Sequence, residues 1–304
     1  MPQGLAQYLE RVVGPHTPVA LHARAGRGQV LEVIDGEGTK WVGKWVPSLG
    51  AWRREVRAYR NWVPRFADQA PRLVAADQTH QMFILTGVPG EPGETFTPEL
   101  HREAGRLLRR IHQSRPPRTG DESPARITAE RLEWELAQCT GGFSADEVEW
   151  ARTQTGKMYD LPAGPMVPCH GDFGAHNWVQ HETDPIRIID FSASRWHVRA
   201  FDLTRLFFGP WWERPDLIEA FFDGYGRHLE DEEFEFLRLH LATTAISSIR
   251  WARRHAIPNI EQKSRYRLTK LMAGHDFTNP PSALRRARRR VLPNRRRSRP
   301  SHET

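Results

Sequence analysis

The sequence predicts an α+β protein of two lobes, a small β-rich lobe followed by a larger, mostly helical one. Three observations predict this. Strand-like runs joined by turn signals dominate the first 87 residues. The segment Gly87-Val88-Pro89-Gly90-Glu91-Pro92-Gly93, with three Gly and two Pro in seven residues, then breaks the chain. Beyond it, apolar residues recur at helical spacing in one segment after another. The chain has 304 residues, 38% of them hydrophobic and 11 of them Trp, which is enough for two lobes with real cores. The expected division is a first lobe over 1–87, a second over 88–284 and a basic tail over 285–304.

The first lobe opens with residues 4–13, which have the pattern of a short amphipathic helix. Residues 19–46 then read as hairpin material. The run 29–34 is β-rich, Asp35-Gly36-Glu37-Gly38 turns, and 40–46 returns; Asp-Gly between such runs is a strong hairpin signal. Upstream, Gly26-Arg27-Gly28 fits either a glycine loop over nucleotide phosphates or a plain turn. Residues 52–62 form a helix with Trp52, Val56, Tyr59 and Trp62 on one stripe, and Glu55 is its only acid. The chain has only five lysines, so a lysine inside a strand-like run stands out. Lys40 and Lys44 share side-chain parity on the returning strand; nearness to the following helix favours Lys44. Residues 71–76 and 80–86 read as two further strands.

In the second lobe, residues 98–113 form a helix with Leu100, Ala104, Leu107, Leu108 and Ile111 on one face. A polar loop over 114–127 leads to helices over 128–139 and 144–155, the latter opened by the capping-box spacing Ser144-Ala145-Asp146-Glu147. After residue 192, the segment 194–199 reads as irregular and 201–208 as the start of a helix containing Asp202. Helices over 216–225, 232–255 and 260–272 follow. The acidic run Glu230-Asp231-Glu232-Glu233 with Glu235 invites a cationic-substrate site but fits a solvated helix start better, and Trp196, Trp211 and Trp212 could line a substrate site, although core packing is the commoner fate of Trp.

The formal net charge of +7 belongs to the tail. Nine of the 44 basic residues are arginines between 285 and 299, and one of the 37 acids, Glu303, lies beyond 284. Removing them leaves 35 basic and 36 acidic residues, a net of −1. Nucleic acid binding by the folded body is therefore not expected, while the tail leaves contact with anionic partners open. Two cysteines, Cys139 and Cys169, exclude a disulfide framework or a zinc cluster of cysteines. The first residues lack the charged-then-apolar order of a signal peptide, and no apolar run suits a membrane span. A reducing cytoplasm is the expected location, without membrane association.

The chemistry concentrates between Val167 and Ser192. Trp178-Val179-Gln180 and Ile186-Arg187-Ile188-Ile189 read as two strands joined by the turn Glu182-Thr183-Asp184-Pro185. An antiparallel hairpin brings Asn177 and Asp190 side by side at its open end. Asp172 lies one tight loop away, with Gly171 and Gly174 permitting the bend. An amide oxygen and a carboxylate are hard ligands that suit Mg²⁺. A further carboxylate off the metal can accept a proton from an attacking hydroxyl, the division of labour in kinase phosphoryl transfer.

His170-Gly171-Asp172 with Asn177, followed by Asp190-Phe191-Ser192, resembles the catalytic and metal motifs of the aminoglycoside phosphotransferase family, small-molecule relatives of protein kinases. The resemblance implies a two-lobed protein-kinase-like fold that binds ATP or GTP with Mg²⁺ between its lobes. It implies Asp172 as the catalytic group, Asn177 and Asp190 as metal ligands, and Lys44 with Glu55 as the phosphate-orienting pair. Backbone groups of Leu85, Thr86, Gly87 and Val88 would meet the base. His170 and Asp202 would support the catalytic loop. The implied enzyme phosphorylates a hydroxyl of a small polar molecule. Aminoglycoside-type antibiotics lead as acceptors, with resistance as the role; a sugar, choline-like alcohol or amino acid is the alternative. A nucleotide-binding module without turnover is a third reading, against which the complete set of Asp172, Asn177 and Asp190 argues.

Overall fold

The computed structural model describes residues 2–274, apart from 25–27, 94–95, 120–122, 140, 163, 182–184 and 213. Gly26, the centre of the 182–185 turn and the basic tail lie outside the described residues.

The chain begins with α1 (Pro2–Val13) and continues through β1 (His16–Arg24), β2 (Gly28–Asp35), β3 (Lys40–Trp45), α2 (Leu49–Asn61), β4 (Leu73–Asp77) and β5 (Met82–Thr86). The strands form an antiparallel sheet in the order β1-β2-β3-β5-β4. Alternation along a strand assigns its side chains to two faces. Trp41 and Trp45 pack with Met82 and Ile84 against Leu5, Tyr8 and Leu9 of α1. Gly43 lies between them, where a Cβ would come within 2.8 Å of Leu9, so α1 rests directly on β3. Val42, Phe83 and Leu85 line the other face with Val56 and Tyr59 of α2. Lys44 shares that face. Ser48 caps α2, accepting from Ala51 N at 3.4 Å.

The connection out of the sheet is pinned quickly. Its two-residue strand β6 (Glu91–Pro92) pairs with second-lobe backbone, Glu91 opposite Gln180. Helices α3 (Pro98–His112), α4 (Pro124–Ala137) and α5 (Ala145–Lys157) follow, the last opened by the expected capping box of Ser144 and Glu147. Next come β7 (Val167–Cys169), β8 (Trp178–Gln180), β9 (Arg187–Ile188) and β10 (Arg195–His197). Helices α6 (Thr204–Phe207), α7 (Pro215–Tyr225), α8 (Asp231–Arg254) and α9 (Pro258–Met272) complete the lobe. The architecture is thus the expected α+β arrangement, a β-rich first part and a helical second part.

Three local expectations need correction. Residues 194–199 are not irregular: β10 pairs with β7, Arg195 opposite Cys169. Three-residue strands carry too few alternations to leave a pattern. The helix expected from 128 starts at Pro124, since proline is favoured in a first turn where its missing N–H costs nothing. The expected helix over 201–208 begins as a 3-10 turn over Arg199–Leu203 and becomes α-helical only at Thr204.

The larger core does not stop at residue 87. It runs from Trp52, Val56 and Tyr59 of α2 through Leu107, Leu108 and Phe191 to Leu268 of α9. A second, smaller core lies between α1 and the sheet. No helix among the described residues is long and apolar enough to cross a membrane.

Candidate active site

The hairpin that organises the site pairs Trp178 with Ile188 and Val179 with Arg187. Ile189 N donates to Asn177 O at 3.1 Å, so Asn177 and Asp190 emerge from the same end. The Asn177 side chain turns back and donates from Nδ2 to Asp172 O at 3.0 Å, tying the Asp172 loop to the hairpin. Asp190 adopts a left-handed backbone, φ 63°, and its Oδ1 accepts from Ser192 N at 3.3 Å. Gly171 also has positive φ, 82°, and a Cβ there would fall on the carbonyl oxygen of Ala193. The close pass of those two backbones leaves room only for glycine.

From the other lobe, Lys44 Nζ reaches Glu55 Oε1 at 2.7 Å and Asp190 Oδ1 at 2.8 Å. Glu55 is buried, with 1% exposure. Burial alone would push the Lys44 ammonium down, but Glu55 and Asp190 outweigh it and its pKa rises. Burial likewise pushes Asp190 up, and Lys44 overrides it, bringing the carboxyl down to about 2. Lys40 instead pairs with Glu32 across the β2–β3 ladder at 2.6 Å. Parity gave both lysines one face; distance along the strand separates their partners.

Asp172 sits 3.2 Å from His176 Nε2 and 3.0 Å from Arg205 Nε. Burial would raise its pKa, but the hydrogen bond from His176 and the charge of Arg205 hold the carboxyl well below the usual carboxylate range. The loop beneath it is supported from inside. His170 is fully buried: its Nε2 donates to Ile189 O at 3.0 Å, its Nδ1 accepts from Asp172 N at 3.3 Å, and its ring lies 4.8 Å from that of Phe191. Asp202, also buried, accepts from His170 N at 2.8 Å and Gly171 N at 2.6 Å. His112 Nε2 donates to the same carboxylate at 3.1 Å, and its Nδ1 meets Tyr225 Oη at 2.8 Å.

Thr86, Gly87 and Val88 line an open cleft of roughly 530 Å³ together with Lys40, Asp68 and Arg187. Leu85 is buried and does not line it, and Asp172, Asn177 and Asp190 are not part of that cleft. The expected site residues therefore fall into two places, the hinge side and the Lys44–Asp190 centre. Gly28 has φ 97° and lies under the Trp45 carbonyl, which accounts for its glycine without any ligand.

Sequence reasoning missed Arg205, His112 and Arg54, whose Nε donates to Ser192 O at 2.9 Å. None carries a local signal; each meets the site only through the folded chain. The donor chemistry at the hairpin mouth fits a hard divalent cation. Among the described residues neither Asn177 Oδ1 nor Asp190 Oδ2 accepts a hydrogen bond, so both oxygens could hold one.

A lysine–glutamate pair reaching an aspartate in a helical lobe defines a kinase-like phosphotransferase. Residues 23–240 match the model of the phosphotransferase enzyme family, and the chain belongs to that family. Solved structures agree in fold. A thermostable mutant of the aminoglycoside phosphotransferase APH(4)-Ia is 12% identical, with a TM-score of 0.69 over 88% of this chain and 98% of that one. An aminoglycoside phosphotransferase from Alicyclobacillus acidocaldarius is 16% identical, with a TM-score of 0.59 over 96% and 97%. Spectinomycin phosphotransferase APH(9)-Ia, solved with ADP and spectinomycin, is 16% identical, with a TM-score of 0.57 over 91% and 96%. No curated protein sequence matches significantly.

Proposed function

We propose that the protein transfers the γ-phosphoryl group of ATP, or of GTP, to a hydroxyl of a small polar acceptor. The observation that carries this reading is the chain Glu55–Lys44–Asp190, a half-buried cation between carboxylates of opposite lobes that ends at the hairpin beside Asp172. Lys44 orients the phosphates, its charge secured by Glu55. Asn177 and Asp190 hold Mg²⁺, which supplies neutralisation of phosphate charge. Asp172 orients the acceptor hydroxyl and accepts its proton as the oxygen attacks. A carboxylate of low pKa is a weak base, which suits a loose transition state in which the proton leaves late. His170 and Asp202 keep the loop in shape, and residues 85–88 meet the base.

Aminoglycoside-type antibiotics are one acceptor class, supported by the names of the structural neighbours. A hydroxylated metabolite is the second, supported by two acids at the start of α8. Glu233 is held by Arg227 at 2.8 Å and lies 3.6 Å from Arg199, and Glu235 is held by Arg238. These two carboxylates already face arginines, which makes them poorer partners for a polyamine.

ADP release by the purified protein against a panel of hydroxylated antibiotics and metabolites tests the reaction. Asp190→Ala should weaken Mg-nucleotide binding in calorimetry, whereas Asp172→Ala should keep binding and lose turnover. Equal loss of binding in both variants would sink the division of roles.

A further inference from the structure

The carboxylate of Asp172 is aimed by exposed side chains. Its backbone is fixed from within: Asp172 N donates to His170 Nδ1, and Asn177 Nδ2 donates to Asp172 O. Among the described residues two side chains meet the carboxylate itself, Arg205 at Oδ1 and His176 at Oδ2. The two oxygens differ. Oδ1 is buried and accepts no hydrogen bond there, although Arg205 Nε lies 3.0 Å from it. The side chain as a whole is 30% exposed, which leaves Oδ2 as the oxygen open to an incoming hydroxyl. His176 Nε2 lies 3.2 Å from that same atom. A carboxylate only accepts, so Nε2 is the donor.

The imidazole is 59% exposed, and a single contact at such a position is weak in itself. Its place is nevertheless built into the loop. The 3-10 turn Ala175–Asn177 is closed by Asn177 N donating to Gly174 O at 2.9 Å, and it carries His176 to Asp172. Gly174 lies against the ring: a Cβ there would come 2.9 Å from His176 Cε1 and 3.1 Å from its Nδ1. The backbone at Gly174 is extended, φ −157°, which any residue adopts, so the bend does not require this glycine. What the missing side chain provides is room for the imidazole beside Asp172. A carboxylate oxygen accepts near its own plane, along two lone-pair directions. With the imidazole N–H on one of them, the plane is set and the other direction is left for the proton of the attacking hydroxyl. Such alignment is where positioning contributes to rate.

We propose that His176, seated by Gly174, is a positioning residue for phosphoryl transfer: it donates to Asp172 Oδ2 and fixes the carboxylate so that the remaining lone pair of that oxygen meets the acceptor hydroxyl. This rests on the phosphotransferase reading above, with Asp172 as its base. It adds a residue that acts through Asp172 and leaves nucleotide binding alone.

The test follows ADP release by the full chain over a range of Mg-ATP concentrations, with kanamycin, spectinomycin, glucose and choline as acceptors and with water alone. His176→Ala and Gly174→Ala should each lower kcat at least tenfold while the KM for Mg-ATP stays within twofold of wild type, as expected for an interaction realised in the transition state. His176→Gln, whose amide offers an N–H donor in place of Nε2, should bring kcat back to within threefold of wild type. At Gly174 the atoms in the way belong to the tip of an exposed side chain, so alanine displaces the ring and spares the fold. That variant reaches the same endpoint with His176 still in the chain. A kcat within twofold of wild type in either alanine variant would overturn the inference. So would a loss in His176→Gln as large as in His176→Ala, or a rise in KM that accounts for the loss, which would place the damage at the neighbouring Asn177. The wild type reports separately on the phosphotransferase reading. No ADP release with any acceptor or with water would strike that reading and this one with it; release that is indifferent to the substitutions would strike only this one.

Discussion

Lys44 is the residue on which the two lobes converge, and its worth should be measurable. Removing it leaves Glu55 buried without its counter-ion, which is costly beyond the lost contact itself. Lys44→Ala should lower turnover at least tenfold, about 1.4 kcal/mol of transition-state stabilisation, and Lys40→Ala should leave turnover nearly unchanged. Steady-state ADP release on both variants decides it. The buried histidines supply a second residue-scale prediction. Burial, with Arg195, Arg205 and Arg131 nearby, brings His240 down to about 3; burial, with His240 and Arg195, holds His197 well below its ordinary value. Both pKa values are depressed in the folded state, so the unfolded chain binds the extra protons as pH falls through about 6.5. Stability should be flat above that pH and decline below it, by about 1.4 kcal/mol per pH unit for each histidine until the folded value is approached. Urea midpoints from pH 8 to 4 should show this slope, and His240→Gln should roughly halve it. Asp172 and Asp190, whose folded values are depressed from ordinary carboxylate values, add their own loss only below about pH 4.

Helices α3 and α7 show how much an element can depend on residues without side chains. A Cβ at Gly224 of α7 would fall on the carbonyl oxygen of Arg102, and one at Gly105 of α3 on that of Phe221. The two backbones touch, and this contact carries Tyr225 to His112 and hence to Asp202. Gly224→Ala should push the helices apart and destabilise the protein by about 1–3 kcal/mol, the usual range for overpacking, as read from urea unfolding. Neither glycine is conspicuous in the sequence. Helix α3 itself was legible because the stripe Leu100, Ala104, Leu107, Leu108 and Ile111 repeats over about three turns. The β8–β9 hairpin was legible despite its short strands, since a polar turn separates two apolar runs. β10 was not, and neither were Arg205 and His112, which lie 33 and 60 residues from Asp172 in the chain. Periodicity reports on neighbours within a few residues; contacts made by the tertiary fold leave no such trace.

At the scale of the whole molecule, the chain keeps a phosphotransferase fold at 12–16% identity to the solved structures above. Such divergence is compatible with a fold held by volume and pattern more than by particular residues. The Gly/Pro segment marked a change of lobe along the chain, but the larger core passes across it. Tyr59 and Phe66 pack on Phe191 at 5.2 and 6.1 Å, and Trp62 meets Trp196 at 6.0 Å. Gln69 exchanges backbone and side-chain bonds with Ile188 and Ile186 at 2.8 and 2.9 Å, and Arg110 grips Asp68. The peptide link at 87–88 therefore acts mainly by setting effective concentration: it keeps at millimolar or higher levels two surfaces that already fit. Cutting it would turn an intramolecular contact into a dimer of fragments with an affinity of its own. A protease site introduced between Gly87 and Val88 and cleaved after folding should leave fragments 1–87 and 88–304 eluting together at micromolar concentration on gel filtration. Separate elution would mean that the covalent tether, and not the shared core, keeps this molecule whole.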